Sequence, residues 1–128
     1  QMHVEKFAAR YNGNCVIRPY GFVHNVEVMM SASDCIISKP GGLTVSEALA
    51  KNLPMLLADP IPGHEERNVD FLVNNGMAAL ITKHFPVDEA VYELFTNPVR
   101  LETVRHTMKA VAHPDATERL ADFVLALK

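Results

Sequence analysis

The run Pro54-Met-Leu-Leu-Ala58 is apolar at every position, and that lack of alternation limits the fold more than any other feature of the chain. A strand with one face in water alternates apolar and polar side chains, whereas an unbroken apolar run suits a parallel strand covered on both faces. Residues 34–38 (Asp-Cys-Ile-Ile-Ser) and 77–81 (Met-Ala-Ala-Leu-Ile) read as further strands, and residues 15–18 (Cys-Val-Ile-Arg) as a short buried one. Between them the spacing turns helical. Val4, Phe7, Ala8 and Tyr11 share one helix face, which Asn12-Gly13-Asn14 ends. Residues 24–33 carry Val26, Met29 and Met30 at helical spacing, a helix is expected over 44–52, and Val69, Leu72 and Val73 mark another, closed by Asn75-Gly76.

From residue 85 onward only helices are expected. Val87, Val91, Leu94 and Phe95 form one face; Pro98 starts a helix with Val104, Met108 and Val111 buried; Pro114 starts a last one with Leu120, Phe123, Val124 and Leu127 turned inward. Proline is favoured at a first helical position because its missing N–H would have had no partner there. Alternating strands and helices predict an open, doubly wound parallel α/β sheet with a helical C-terminal tail, in a single domain over 1–128.

The totals exclude several classes. A chain of 128 residues is long enough for a real core, burying roughly two thirds of its unfolded surface. The formal charge of −3 and the absence of any basic run give no electrostatic footprint for nucleic acid. No apolar stretch reaches the ~20 residues of a membrane span. Cys15 and Cys35 each lie in an apolar run, which predicts buried, reduced thiols and fits a reducing compartment. No signal peptide is visible, and a chain beginning Gln1-Met2-His3 is expected to be a fragment.

The segment Ser38-Lys-Pro-Gly-Gly-Leu-Thr-Val-Ser-Glu47 joins an expected strand end to an expected helix start. Ligands of open α/β sheets sit outside the carboxyl ends of the strands. A helix N-terminus offers unpaired N–H groups and partial positive charge to phosphate, and glycine lets a ligand approach without a Cβ in the way. Neither G-x-x-x-x-G-K-[ST] nor G-x-G-x-x-G occurs here, so the two best-known phosphate fingerprints are absent. Two readings of the segment stay open on spacing alone. The glycines can form a plain turn, with Thr44-x-x-Glu47 as a capping box, or they can bind a diphosphate, with Glu47 accepting from ribose hydroxyls.

Three motifs in order bear on that choice: Lys39-Pro-Gly-Gly-Leu-Thr-Val-Ser-Glu47-Ala, Leu53-Pro-Met-Leu, and Pro60-Ile-Pro-Gly63-x-Glu65-x-x-Asn68. Together residues 31–81 resemble the donor-binding, Rossmann-like C-terminal half of GT-B glycosyltransferases. They resemble most of all the processive diacylglycerol glucosyltransferases and monogalactosyldiacylglycerol synthases, and more distantly the N-acetylglucosaminyltransferase that makes lipid II. The resemblance implies that Gly41, Gly42, Leu43 and Thr44 face a UDP diphosphate and that Glu47 binds the ribose. Phe22 and Val23 would flank the uracil, with plain core packing as their alternative. His64, Glu65 and Asn68 would address the sugar or the phosphates. Family members usually carry Gln where this chain has His64. An imidazole also offers a donor and an acceptor, with a different reach, which bears on the choice of sugar. No metal-ligand spacing joins the histidines, and no metal or other cofactor is expected.

The resemblance further implies an inverting transfer of a hexose, glucose or galactose, from UDP to a lipid hydroxyl such as diacylglycerol. The whole enzyme would be cytoplasmic and peripheral at the inner face of the membrane. Its general base, acceptor site and membrane surface would belong to an N-terminal domain outside these residues, and the donor domain itself would begin earlier, with a strand and a glycine-rich turn ahead of the first helix here. The fragment alone is then expected to be inactive. Three rivals stand beside this reading: a non-catalytic donor subunit of a split glycosyltransferase, a UDP-N-acetylglucosamine epimerase-like domain, and a doubly wound interaction module without ligand.

Overall fold

The computed structural model describes residues 2–127; Gln1 and Lys128, the ends of the expected 1–128 domain, lie outside the described residues. Three parallel strands form the sheet: β1 (Ile36–Ser38), β2 (Met55–Leu57) and β3 (Ala78–Leu80), in the order β1-β2-β3. Ile36, Met55 and Ala78 stand in register, as do Ser38, Leu57 and Leu80. β2 is central and buried at all three positions, as its unbroken apolar run requires.

Helices cover the sheet on both faces. α1 (Met2–Arg10) and α2 (Val26–Ser31) precede it; α3 (Gly42–Ala50) leads from β1 to β2, and α4 (Glu66–Asn74) from β2 to β3. α5 (Val87–Thr96), α6 (Pro98–Val111) and α7 (Ala116–Ala126) follow. Met55 and Leu57 pack with Val45 and Ala48 of α3, Val69 and Leu72 of α4, and Met108 of α6. Leu56 points the other way, onto Ala90 and Leu94 of α5. One strand thus feeds two cores, which is the doubly wound arrangement. The second core stops short of β1, where Ile37 stays 48% exposed.

Several expectations are corrected. Residues 15–18 form no strand, and Val16 is 78% exposed. A run of four residues between Gly13 and Pro19 gains strand hydrogen bonds only from a neighbouring strand, and none of the described strands lies beside it. Cys15 is accordingly exposed, while Cys35 is partly buried against the Leu56 cluster. α1 forms as the spacing predicts, but Val4, Phe7 and Tyr11 are exposed. α7 starts at Ala116, after Asp115, rather than at Pro114, and Leu120, Phe123, Val124 and Leu127 face solvent instead of a core. Helical spacing reports an amphipathic face, not the presence of something to cover it. α3 starts at Gly42, two residues before the expected Thr44.

Candidate functional site

β1 ends at Ser38, and the chain passes through Lys39 and Pro40 into the glycine pair at the carboxyl edge of the sheet. Gly41 is the N-cap of α3, with extended dihedrals and no side-chain cap hydrogen bond; Gly42 is the first helical residue. Among the described residues, the N–H groups of Gly41, Gly42, Leu43 and Thr44 find no acceptor, and pairing resumes where Val45 N donates to Gly41 O at 2.9 Å. Four free donors therefore fan out at the positive end of the helix dipole.

The fold itself does not ask for glycine here. The glycines with positive φ are Gly63 and Gly76, not this pair. A Cβ at Gly42 would meet nothing within 4 Å, and one at Gly41 only Glu65 Oε1 at 3.5 Å. Inside a helix glycine costs about 0.5–1 kcal/mol relative to alanine. At Gly42, the first helical residue, a Cβ would be accommodated, so the glycine there keeps backbone open toward solvent without the fold requiring it.

The capping-box alternative is not realised. Thr44 is the third residue of α3 rather than its N-cap, and Glu47 is exposed with its side chain free of hydrogen bonds among the described residues. Glu47 lies one turn below Leu43 and Thr44, and helical side chains lean toward the N-terminus, so its carboxylate is carried on the side of the free amides. Leu43, also exposed, lies between.

A second loop closes on this turn from β2. Asn68 Nδ2 donates to Pro40 O at 2.8 Å. Glu65 Oε2 accepts from Ile61 N at 2.8 Å, which leaves Oε1 beside Gly41. His64, exposed in the turn before α4, makes no side-chain hydrogen bond among the described residues. Asp59 and Gly63 take left-handed φ values of 48° and 79°, and these let the loop double back to the glycines. The sequence therefore brings Gly41, Gly42, Leu43, Thr44, Glu65 and Asn68 together, with Glu47 one turn away.

Among the described residues no hydrogen bond joins Phe22 or Val23 to that cluster. Phe22 is 89% exposed and stacks edge-on against His24, with ring centroids 5.0 Å apart. That exposure rules out core packing for Phe22; Val23 is half-buried. Lys39 and Asp59, not expected as site residues, form an ion pair of 3.2 Å. The signal for it was present: opposite charges lie just past the ends of two strands that pair in register.

A cavity of about 550 Å³ lies elsewhere, between the amino ends of β2 and β3 and helices α4, α5 and α6. Its polar side chains are already engaged: Arg100 with Glu93 at 2.8 Å, and the Thr103 hydroxyl with Val99 O at 2.7 Å. The glycine turn, by contrast, carries four unpaired backbone donors among the described residues.

Comparison with known proteins supplies the context for that turn. The model of the glycosyltransferase family 28 C-terminal domain matches residues 1–120. A processive diacylglycerol beta-glucosyltransferase of Bacillus cereus (strain AH187) is 31% identical over 110 residues, 86% of this chain and 28% of the relative. One from Bacillus pumilus (strain SAFR-032) is 34% identical over 95 residues, 74% of this chain and 25% of that protein. The chain thus spans about a quarter of the length of these relatives. MurG of Acinetobacter baumannii superimposes with a TM-score of 0.75 at 26% identity, over 98% of this chain and 39% of that one. The glycosyltransferase SnogD from Streptomyces nogalater shares the fold, with a TM-score of 0.59 at 21% identity over 86% of this chain and 29% of that one.

Proposed function

Because the chain belongs to the glycosyltransferase family 28 C-terminal domains, we propose that it is the UDP-sugar-binding half of an inverting hexosyltransferase acting on a lipid hydroxyl such as that of diacylglycerol. The observation that carries this reading is the open glycine pair with four unpaired amides. As the bond from the anomeric carbon to the diphosphate breaks, negative charge grows on the departing UDP. Donors already fixed around that charge stabilise it without reorganising. In this reading the amides of Gly41, Gly42, Leu43 and Thr44 receive the diphosphate, and Glu47 accepts from the two ribose hydroxyls.

His64 and Glu65 face the sugar from the loop after β2, and Phe22 and Val23 close over the uracil when the nucleotide is bound. The amide fan does the work of charge neutralisation, so UDP binding is expected to persist in EDTA. The proton of the acceptor hydroxyl needs a general base, which this reading assigns to a partner domain together with the lipid site. The glucosyl activity and diacylglycerol in the names of the Bacillus relatives favour a glycolipid product and a whole enzyme held at the cytoplasmic face of a membrane. Among the described residues no helix is long and apolar enough to cross one.

Titrating the 15N-labelled chain with UDP and with uridine tests the reading. UDP is expected to shift the Gly41–Thr44 amides and uridine to leave them nearly unmoved. Equal shifts with both, or none with either, would count against a diphosphate site.

A further inference from the structure

Glycine opens a backbone to a ligand but leaves it loosely restrained, since Gly41 can explore dihedrals closed to other residues. A fan of amides acts as a preorganised receptor only if something else holds its first peptide plane. The Pro40–Gly41 peptide is planar and trans, so its C=O and N–H point in opposite directions. Fixing the carbonyl fixes the amide.

Asn68 does the fixing. Its Nδ2 donates to Pro40 O at 2.8 Å across 28 residues of chain. Pro40 is buried and Asn68 half-buried, which leaves little room for water to replace the bond. Glu65, three residues earlier, is itself held by Ile61 N and abuts Gly41, so the start of α4 touches the turn at two points. We infer that Asn68 is a positioning residue for the phosphate turn, aiming the Gly41 N–H and the amides after it by holding the Pro40 carbonyl. This rests on the reading of the turn as a diphosphate site. It differs from the role the family resemblance implies, in which Asn68 itself meets the sugar or the phosphates.

The test compares the 15N-labelled wild-type chain with Asn68→Asp and Asn68→Ala, each titrated with UDP and with UDP-glucose. Asp keeps the shape but turns an acceptor toward the carbonyl; Ala removes the bond and serves if Asp prevents folding. Within each variant UDP and UDP-glucose are expected to weaken by the same factor, about tenfold in Asn68→Ala for a lost hydrogen bond and more in Asn68→Asp, which also adds a negative charge near the phosphates. The Gly41 and Gly42 resonances should move before ligand is added, while the Leu56 and Leu72 amides of the core keep their positions. Loss of UDP-glucose affinity with UDP affinity retained would make Asn68 a sugar ligand and overturn the inference, as would unmoved Gly41 and Gly42 resonances. A wild-type chain whose Gly41–Thr44 amides ignore UDP would instead overturn the diphosphate reading, and this inference with it.

Discussion

The Lys39 ammonium lies 3.2 Å from Asp59 Oδ2, tying the carboxyl ends of β1 and β2 together beside the glycine turn. Both side chains are largely exposed, 52% and 87%, and pairs of that kind contribute only about 0–1 kcal/mol to stability. Asp59 holds φ 48°, a conformation that asparagine also tolerates. Asp59→Asn should therefore leave the melting temperature nearly unchanged. It should also tighten UDP binding, by freeing Lys39 and removing a negative charge near the phosphates. Lys39→Met should weaken UDP binding, and both effects should shrink at high salt. Titration calorimetry at two ionic strengths checks the signs.

Glu47 is exposed on α3 and unpaired among the described residues, so Glu47→Gln should change stability by no more than about 0.5 kcal/mol. If the carboxylate receives the ribose hydroxyls, the same substitution should cost about tenfold in UDP affinity, since hydrogen bonds to a charged group are worth roughly 1.5–3 kcal/mol. 2′-Deoxy-UDP should bind wild type more weakly than UDP does, and Glu47→Gln should discriminate less between the two. Unchanged discrimination in the variant would separate Glu47 from the ribose.

The two thiols should behave differently. Cys15 is exposed and should be alkylated first. Cys35 has its thiol pushed up, mainly by burial and secondly by the adjacent Asp34 charge, so its thiolate is scarcer and should react more slowly. Asp34→Asn should speed it. The stability consequence follows from the raised value: as pH climbs past the ordinary thiol value of 9.0, the unfolded chain loses this proton first and stability falls. Cys35→Ala should flatten that alkaline fall, readable in urea melts at rising pH.

What the sequence disclosed follows from which physics is local. Residues 54–58 report a strand buried on both faces through composition alone, and Asn75-Gly76 and Pro98 mark their helix ends through backbone restrictions. Burial of an amphipathic face needs a partner, and spacing cannot name one. Hence Phe7 in α1 and Phe123 in α7 lie on real helices yet face solvent, and Cys15-Val16 forms no strand without a neighbour. At the site, the motif indicated the residues around Gly41 but not their roles toward one another. The bond from Asn68 to Pro40 depends on how α4 returns to the end of β1, a three-dimensional fact with no local signature. The start of α3 at Gly42 likewise removed the capping alternative, which no spacing argument could do.

Gly42→Ala is the most direct measurement, read by thermal melting and UDP titration together. A Cβ there meets no protein atom within 4 Å, and alanine favours a helix over glycine by up to about 1 kcal/mol. The predicted result is a melting temperature equal to or above wild type with UDP affinity lowered at least about tenfold, the methyl standing where a phosphate oxygen would approach the backbone. Wild-type UDP affinity in Gly42→Ala would contradict a diphosphate held at the glycine turn.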